Sequence, residues 1–280
     1  MLSKVRVIYN NPELGKIDQG YIFYGGIADL YLNSDVWGIV ITPRCDIANR
    51  KVPTYHYLPI VKYSDWLLVD YKELLYKRIN SQLIGELKSF LKENGFSSEI
   101  AKSFSISQIV EKLSPKLSNQ KKVERLDSIK NKILEIDDFY KNTTIEKLQD
   151  ITKKYIKIAQ VINNEIILNQ NYSFYLLESW NKADDYYVVL LRDIRCIKKD
   201  IFFTIGQGIL YDNITDDIYN KNDLKRLSNQ DEMIFVETEL CSPYIEHLIQ
   251  MFFHNFGRIG IDEISPRTSE ILSNQINKLQ

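Results

Sequence analysis

Cysteine and long apolar runs are scarce in this sequence. Its 280 residues include three cysteines, Cys45, Cys196 and Cys241, which are too few and too scattered for a disulfide framework and indicate a reducing compartment. No apolar run approaches the roughly eighteen residues that a membrane-spanning helix requires, and the segment from Met1 to Arg6 lacks the apolar core of a signal peptide. We therefore expect a cytoplasmic protein with no membrane contact.

The common catalytic and cofactor-binding motifs are missing as well. Gly15-Lys16 is not part of a Walker-type loop, and Gly206-Gln207-Gly208 lacks the third glycine of a dinucleotide-binding fingerprint. The sequence has no Gly-x-Ser-x-Gly elbow, no Cys-x-x-Cys pair and no His-x-x-x-His pair. We predict no cofactor and no local metal site, and these absences make a binding protein more expected than an enzyme.

The composition is that of an ordinary soluble globular protein, but the charge is unevenly distributed. Apolar residues make up 44% of the chain, charged residues 26%, and the net charge is −1. Residues 102–157 carry thirteen basic against eight acidic side chains, whereas residues 161–280 carry eleven basic against eighteen acidic side chains. A basic middle followed by an acidic part indicates different partners for different parts of the chain.

The stretch from Val36 to Val61 predicts the centre of a β-sheet. Residues 36–41 are uncharged and mostly β-branched or aromatic, which is typical of a strand buried on both faces. Thr42-Pro43 ends this strand because proline cannot donate to a ladder, and Tyr55–Val61, which carries His56, predicts its neighbour. Residues 4–9 and 20–32 add two β-type runs. Since no helix separates these strands, we expect a small antiparallel sheet, either open or closed toward a barrel.

Helical periodicity begins at Ser64 and continues to Asn94-Gly95, a left-handed stop signal. Beyond it, two apolar stripes flank a polar turn at 141–144 and predict an antiparallel, coiled-coil-like helical hairpin with arms of roughly 30 Å. The stripes consist of Leu126, Ile129, Ile133, Ile136 and Tyr140, then Leu148, Ile151, Tyr155, Ile158 and Ile162. We favour a hairpin that packs on the rest of the protein over a projecting arm that recruits a partner.

The chain after residue 170 predicts a return to β-structure, followed by a final helix. The candidate strands are Tyr172–Leu177, Tyr186–Leu191, Ile201–Ile205 and Met233–Val236. The expected organisation is α+β: residues 1–63 and 165–280 form one mixed domain, and residues 64–164 form the helical insertion. The final helix opens at Ser242-Pro243 and has an apolar face that consists of Ile245, Leu248, Ile249, Phe252, Phe253 and Phe256.

Two groups of polar residues are candidates for chemistry. Arg44, Cys45 and Asp46 follow the buried strand, and His247, His254 and Arg258 form one line on the polar side of the final helix. If the helix covers the open end of the sheet, Cys45 or Asp46 meets His247, and Arg44, His254 and Arg258 bind an anion. A thiol beside an imidazole is activated as a thiolate, which suits a hydrolase. The alternative is a metal-assisted nuclease in which Asp46 and one or two histidines hold the metal.

Lysines of the hairpin form a third candidate site. Lys121, Lys122, Lys153, Lys154 and Lys157 can contact the phosphates of a nucleic acid, although few aromatic residues lie between them to stack on bases. A solvated helix face explains the same lysines without any ligand. The sequence leaves both interpretations open.

Three short segments resemble a known group of sequences. Thr42-Pro43-Arg44-Cys45-Asp46-Ile47-Ala48-Asn49, Ser242-Pro243-Tyr244-Ile245-Glu246-His247-Leu248 and Arg258-Ile259-Gly260 are similar to segments of uncharacterised bacterial proteins from mobile, defence-type gene clusters. The resemblance covers the two ends of the chain and leaves out the helical middle. It implies a setting, conflict with phage, and no particular activity.

Three hypotheses follow from the sequence. The leading one is a non-catalytic subunit of a bacterial anti-phage complex, whose helical hairpin docks a protein partner such as an ATPase or nuclease encoded nearby. The second is an enzyme, either a hydrolase or a metal-assisted nuclease, with a site at Cys45, Asp46 and His247. The third is a nucleic-acid-binding module that uses the basic hairpin.

Overall fold

The protein combines helices with a curled antiparallel half-barrel sheet, which confirms the predicted α+β class. The structure is a computed structural model that describes residues 7–181, 185–210, 222–227 and 232–256. In the sheet the strand order is β1-β9-β2-β3-β4-β6-β5, with β7 paired to β4 and β8 paired to β9. The strands are β1 Tyr9–Asn10, β2 Tyr21–Tyr24, β3 Val36–Val40, β4 Thr54–Lys62, β5 Phe174–Glu178, β6 Tyr186–Leu190, β7 Arg195–Lys198, β8 Ile209–Leu210 and β9 Met233–Leu240.

Strand β4 lies inside the sheet and pairs along both of its edges. One edge pairs with β3, and the other pairs first with β7 and then with β6. His56 uses its backbone groups toward the β3 side, so Pro59, three residues later, turns its nitrogen toward the β6–β7 side. Pro59 has no N–H to donate there, and the pairing is interrupted at this point by the turn between β6 and β7.

The sheet curls until its two edge strands approach each other. The Tyr9 hydroxyl on β1 donates to the carbonyl of Glu178 on β5 over 2.6 Å, and the Tyr9 ring lies 5.8 Å from that of Trp180. Among the described residues, the edges therefore meet through a side chain and not through a backbone ladder, as in a half-barrel. Gly38 allows tight packing on the outer side, because a Cβ there would lie 2.4 Å from the Phe23 ring.

Helix α1, Arg44–Ala48, follows β3, and the helices between β4 and β5 form a bundle on the outside of the half-barrel. The bundle consists of α2 Tyr63–Trp66, a π-helical turn Leu67–Tyr71, α3 Lys72–Glu93, α4 Ile100–Ser103, α5 Ile106–Leu113, a 3-10 turn Ser114–Lys116, α6 Gln120–Lys141, α7 Ile145–Lys154 and α8 Ile156–Ile167. Ser105 and Gln108 form a capping box that fixes the start of α5. No helix in the described ranges is long and apolar enough to cross a membrane.

The predicted hairpin is present, and it packs on the rest of the protein. Helix α6 is its first arm, and α7 and α8 form a second arm that breaks at Tyr155, where a single helix was expected. Leu126, Ile129 and Ile162 are fully buried and share one core with α3 and with sheet residues such as Val61 and Val188. The packed arrangement that the periodicity favours is therefore the one that forms.

Within the described residues after β7, the helices are α9 Lys199–Ile205 and α10 Tyr244–Phe256. The prediction of a strand at Ile201–Ile205 was wrong. Phe202 and Ile205 are buried three residues apart, a helical spacing, and Phe202 stacks on Tyr55 at 4.1 Å. Packing against β4 thus outweighs the β-propensity of this short apolar run.

Helix α10 covers the inner face of the half-barrel. Ile245, Leu248, Met251 and Phe252 are buried there with residues from β2 to β6 and β9. The expected apolar face is therefore correct at its centre but wrong at Phe253, which is 63% exposed. Phe253 lies about 140° around the helix from Leu248, so it falls at the edge of the buried stripe.

The run at 20–32 was also predicted longer than it is. Strand β2 ends at Tyr24 because Gly25 adopts a φ of +100°, where the chain turns away from the sheet. The remaining residues, 25–32, form a loop that leads to Tyr31 and brings it against the helical bundle. Residues 1–6 lie outside the described residues, so the start of the first predicted strand does as well.

Candidate functional site

Arg44, Cys45 and Asp46 lie at the start of the short helix α1, directly after β3. Cys45 is exposed, and its sulfur lies 3.7 Å from Oδ1 of Asp46. Arg44 forms an ion pair with Glu239 of β9 over 3.4 Å. The helix is anchored by Ile47, which is 5% exposed and packs among Tyr55, Tyr57 and their neighbours.

His247 lies on the exposed side of α10 and shares a 3.1 Å hydrogen bond between its Nδ1 and the Tyr175 hydroxyl. Burial raises the pKa of Tyr175 to about 12, so the phenol stays protonated at neutral pH. His254 lies farther along the helix, with its ring 5.7 Å from that of Tyr172. Arg258 lies outside the described residues.

The described contacts do not bring Cys45 or Asp46 together with His247. Helix α1 packs beside Tyr55 and Tyr57 of β4, whereas α10 packs beside Leu58 and Ile60 of the same strand. Successive residues of a strand point to opposite faces of the sheet. The two groups of candidate residues are therefore carried by helices on opposite faces. Among the described residues, no group of three or more His, Cys, Asp and Glu side chains is arranged to hold a metal ion.

The candidate lysines of the hairpin fall into two groups. Lys154 pairs with Glu135 in the second half of α6, and Lys153 and Lys157 lie within three residues of Lys154 in the sequence. Lys121 and Lys122 lie at the start of α6. Lys122 is thirteen residues before Glu135, which corresponds to about 20 Å along the helix axis. Apart from Lys154, none of the five forms an ion pair within the described part of the chain.

A charged cleft of about 530 Å³ opens where the helical bundle meets the sheet. Four segments of the chain contribute to it: the loop at 29–31, the stretch at 70–77 that includes the end of the π-helical turn, residues 173–174 around the start of β5, and the β6–β7 turn with its flanking residues. Its charged side chains are Asp29, Asp70, Glu73, Lys77, Arg192, Asp193 and Arg195. Leu30, Leu74, Phe174 and Leu190 supply apolar walls.

Most charges in the cleft are paired. Arg195 binds Asp193 over 2.6 Å and Asp29 over 3.0 Å, which ties the loop at 29–31 to the β6–β7 turn. Lys77 binds Glu73 over 2.7 Å. These partners hold the pKa values of Asp29 and Glu73 below the ordinary range of carboxylic acids, through hydrogen bonds from Arg195 and Lys77 respectively.

Asp70 is the exception among these carboxylates. It lies in the π-helical turn, accepts a hydrogen bond from the buried Tyr31 hydroxyl at Oδ2, and has no basic partner within ion-pair distance in the described ranges. Burial raises the pKa of Asp70 and the nearby Glu73 and Asp193 raise it further, against the lowering effects of the Tyr31 hydrogen bond and Lys77. A carboxylic acid with a raised pKa in a cavity is a common feature of binding and catalytic sites.

The second arm of the hairpin exposes apolar side chains on the side that faces away from the core. Ile156, Val161, Ile167 and Leu168 are between 48% and 62% exposed, and we call this surface, together with Lys153 and Lys157, the outer face. The opposite side of α8 is sealed, since Ala159, Ile162 and Ile166 are at most 2% exposed. Apolar residues on both sides of a surface helix indicate a second contact surface.

A groove of about 600 Å³ lies beside the outer face, along β5. It is lined by Ile8 and Tyr244 on one side and by Ile166, Ile167 and Leu176 on the other. The backbone N–H of Leu176 donates to the Asn169 side chain over 3.4 Å, so this part of the sheet edge is capped internally. The groove therefore continues the apolar surface of the outer face. This part of β5 does not present a free strand edge to a partner.

Comparisons with protein-family models, with curated proteins and with solved structures found no match to this chain. Sequence reasoning missed the charged cleft, although one signal was present. Asp70 interrupts the run Leu67-Leu68-Val69-Asp70-Tyr71 and lies three residues from Leu67 and four from Leu74, on the stripe that a helix buries.

Proposed function

We propose that this protein is a non-catalytic assembly subunit that docks a protein partner through the outer face of its helical hairpin. The observation that supports the proposal is the exposure of Val161 and Leu168, at 51% and 62%, on a helix whose other side is sealed. Leu168 caps the end of α8 and lies seven residues after Val161, so the two side chains lie on one line along the helix. A partner helix with apolar residues at a similar spacing would bury them.

The charge of the outer face indicates the character of the partner. Lys153 and Lys157 are exposed and have no ion pair within the described residues, so they are available to carboxylates of another protein. We propose an acidic, amphipathic helix of an ATPase or nuclease encoded nearby, in the cytoplasm of a bacterium. The anti-phage setting rests on the sequence resemblance described above.

The test is co-elution in size-exclusion chromatography with the products of adjacent genes. Leu168→Asp should abolish the complex, because burying an unpaired carboxylate in an apolar contact is costly. Leu14→Asp is a matched control, since Leu14 is 99% exposed and lies far from the hairpin in sequence, in the loop after β1. The proposal fails if the wild-type protein elutes alone with all neighbours present, or if Leu168→Asp still forms the complex.

Nucleic-acid binding through the same hairpin is a second candidate function, favoured by the absence of ion pairs at Lys121, Lys122, Lys153 and Lys157 within the described residues. Phosphate contacts release counterions, so the affinity for duplex or single-stranded DNA should fall steeply as salt increases. Replacing all four lysines with Gln should remove most of that dependence. A flat response to salt excludes this function, and Leu168→Asp should leave DNA binding unchanged.

A further inference from the structure

The ion pairs of the charged cleft leave two opposite charges without a charged partner. Arg195 forms ion pairs with Asp29 and Asp193, and Lys77 forms an ion pair with Glu73. Asp70 has the Tyr31 hydroxyl at Oδ2, and its Oδ1 accepts no hydrogen bond within the described part of the chain. Arg192 is its positive counterpart, since its Nε donates to Asn255 over 3.4 Å and no carboxylate of the described residues pairs with it.

The two charges belong to different structural units. Asp70 is held by the π-helical turn at the start of the bundle, and Arg192 lies in the β6–β7 turn of the sheet. Both line the same cavity. A ligand with a positive and a negative group would therefore pair with both Asp70 and Arg192. A ligand with a single charge would leave one of these two side chains without a charged partner.

The cavity also has apolar walls. Phe174 and Leu190 are each 8% exposed and line the cavity, while Leu30 is 72% exposed and lies at its rim. These side chains suit the carbon atoms of a small ligand. At about 530 Å³ the cavity falls within the ordinary size range of small-molecule sites.

We propose that the charged cleft binds a free amino acid, whose ammonium group pairs with Asp70 and whose carboxylate pairs with Arg192. The Tyr31 hydroxyl positions Asp70 for this contact by holding Oδ2, which leaves Oδ1 for the ammonium group. The apolar walls contact the amino acid's side chain, so amino acids with apolar side chains bind more tightly than glycine. This site is separate from the outer face and does not depend on the docking function.

Isothermal titration of the full chain with a panel of L-amino acids at millimolar concentration tests the proposal. The amino acid that binds most tightly is then compared with its methyl ester and its N-acetyl derivative. Asp70→Asn and Arg192→Gln should each weaken binding of the free amino acid by at least about tenfold, the loss expected for one charge-assisted hydrogen bond. Asp150→Asn and Arg125→Gln, which change exposed charges outside the cleft, should have no effect.

The two derivatives assign each charge of the ligand to one residue. The methyl ester lacks the carboxylate, so it should bind the wild-type protein and Arg192→Gln equally. The N-acetyl derivative lacks the ammonium charge, so it should bind the wild-type protein and Asp70→Asn equally. The proposal is overturned if no amino acid shows saturable binding, or if neither variant weakens it. Arg192→Gln changes a residue in an exposed turn, so this variant still tests the proposal if Asp70→Asn does not fold.

Discussion

The inner face of the half-barrel and the side that carries the helical bundle differ in how many apolar and charged side chains they leave exposed or unpaired. On the inner face, α10 seals an apolar cluster in which Leu248 and Ile60 are fully buried. On the bundle side, the junction retains the charged cleft, and the hairpin exposes apolar residues at the outer face. The difference indicates that the inner face serves stability, whereas the bundle side is available for binding.

The largest effect is expected from a truncation on the inner face. Leu248→Ala removes a fully buried side chain of α10 and should cost about 2–5 kcal/mol in the free energy of unfolding, because the surrounding sheet cannot collapse into the cavity. Leu168→Ala, on the exposed side of α8, is the matched control and should change stability by less than about 0.5 kcal/mol. Urea denaturation of both variants measures the contrast. Equal losses would mean that α8 is packed on both sides.

A smaller loss of stability is expected at the rim of the inner face. His247→Ala removes the hydrogen bond to the Tyr175 hydroxyl and should cost about 0.5–1.5 kcal/mol. The same variant should leave the alkylation rate of the exposed Cys45 unchanged, since the described contacts do not join the two residues. Alkylation with iodoacetamide at neutral pH measures this rate. A marked slowing in His247→Ala would restore the hydrolase hypothesis, because a neighbouring imidazole activates a thiol.

The charged cleft should make stability depend on pH through Asp70. Since the folded protein raises the pKa of Asp70, it binds this proton more tightly than the unfolded chain does, and the contribution of Asp70 to stability falls as pH rises through the raised pKa. Asp70→Asn, whose amide oxygen still accepts from Tyr31, should therefore be more stable than the wild-type protein at neutral pH. This advantage should vanish below about pH 3.9, the ordinary pKa of Asp. Thermal denaturation over this pH range measures the difference, and a constant offset at all pH values would contradict the assignment.

The smallest effect on stability is expected at the outer face. Leu168→Asp and Leu14→Asp should each change the free energy of unfolding by less than about 0.5 kcal/mol, because both side chains are largely exposed. Only Leu168→Asp should abolish partner binding. Circular dichroism melts of the two variants separate a local loss of binding from a loss of fold, and a marked destabilisation by Leu168→Asp would mean that the outer face already packs within this protein.

The sequence predicts the local elements of this fold well, because their patterns are set by neighbouring residues. The buried strand at Val36–Val40, the partner strand with Pro59, and the hairpin arms follow from periodicity and from turn residues. The errors lie where tertiary packing decides. Tyr55 stacks on Phe202 and holds it in a helix. The early end of β2 has a local cause instead, since Gly25 adopts a φ of +100°.

The candidate site was the hardest part to predict, since it depends on which distant segments meet. The sequence predicts a shared site for Cys45 and His247 because both are reactive residue types. The alternation of side chains along β4 instead directs their two helices to opposite faces of the sheet. Asp70 and Arg192 are common residue types with no recognisable motif. Their relation arises only when the π-helical turn and the β6–β7 turn come to line one cavity.

Hydrogen–deuterium exchange, measured with and without the products of adjacent genes, tests the contrast between the two regions most directly. We expect a partner to slow exchange of the backbone amides of α7 and α8, next to Val161 and Leu168, and to leave the amides of α10 unchanged. Slower exchange in α10 with no change in α8 would contradict the account, because the inner face would then be the surface that binds.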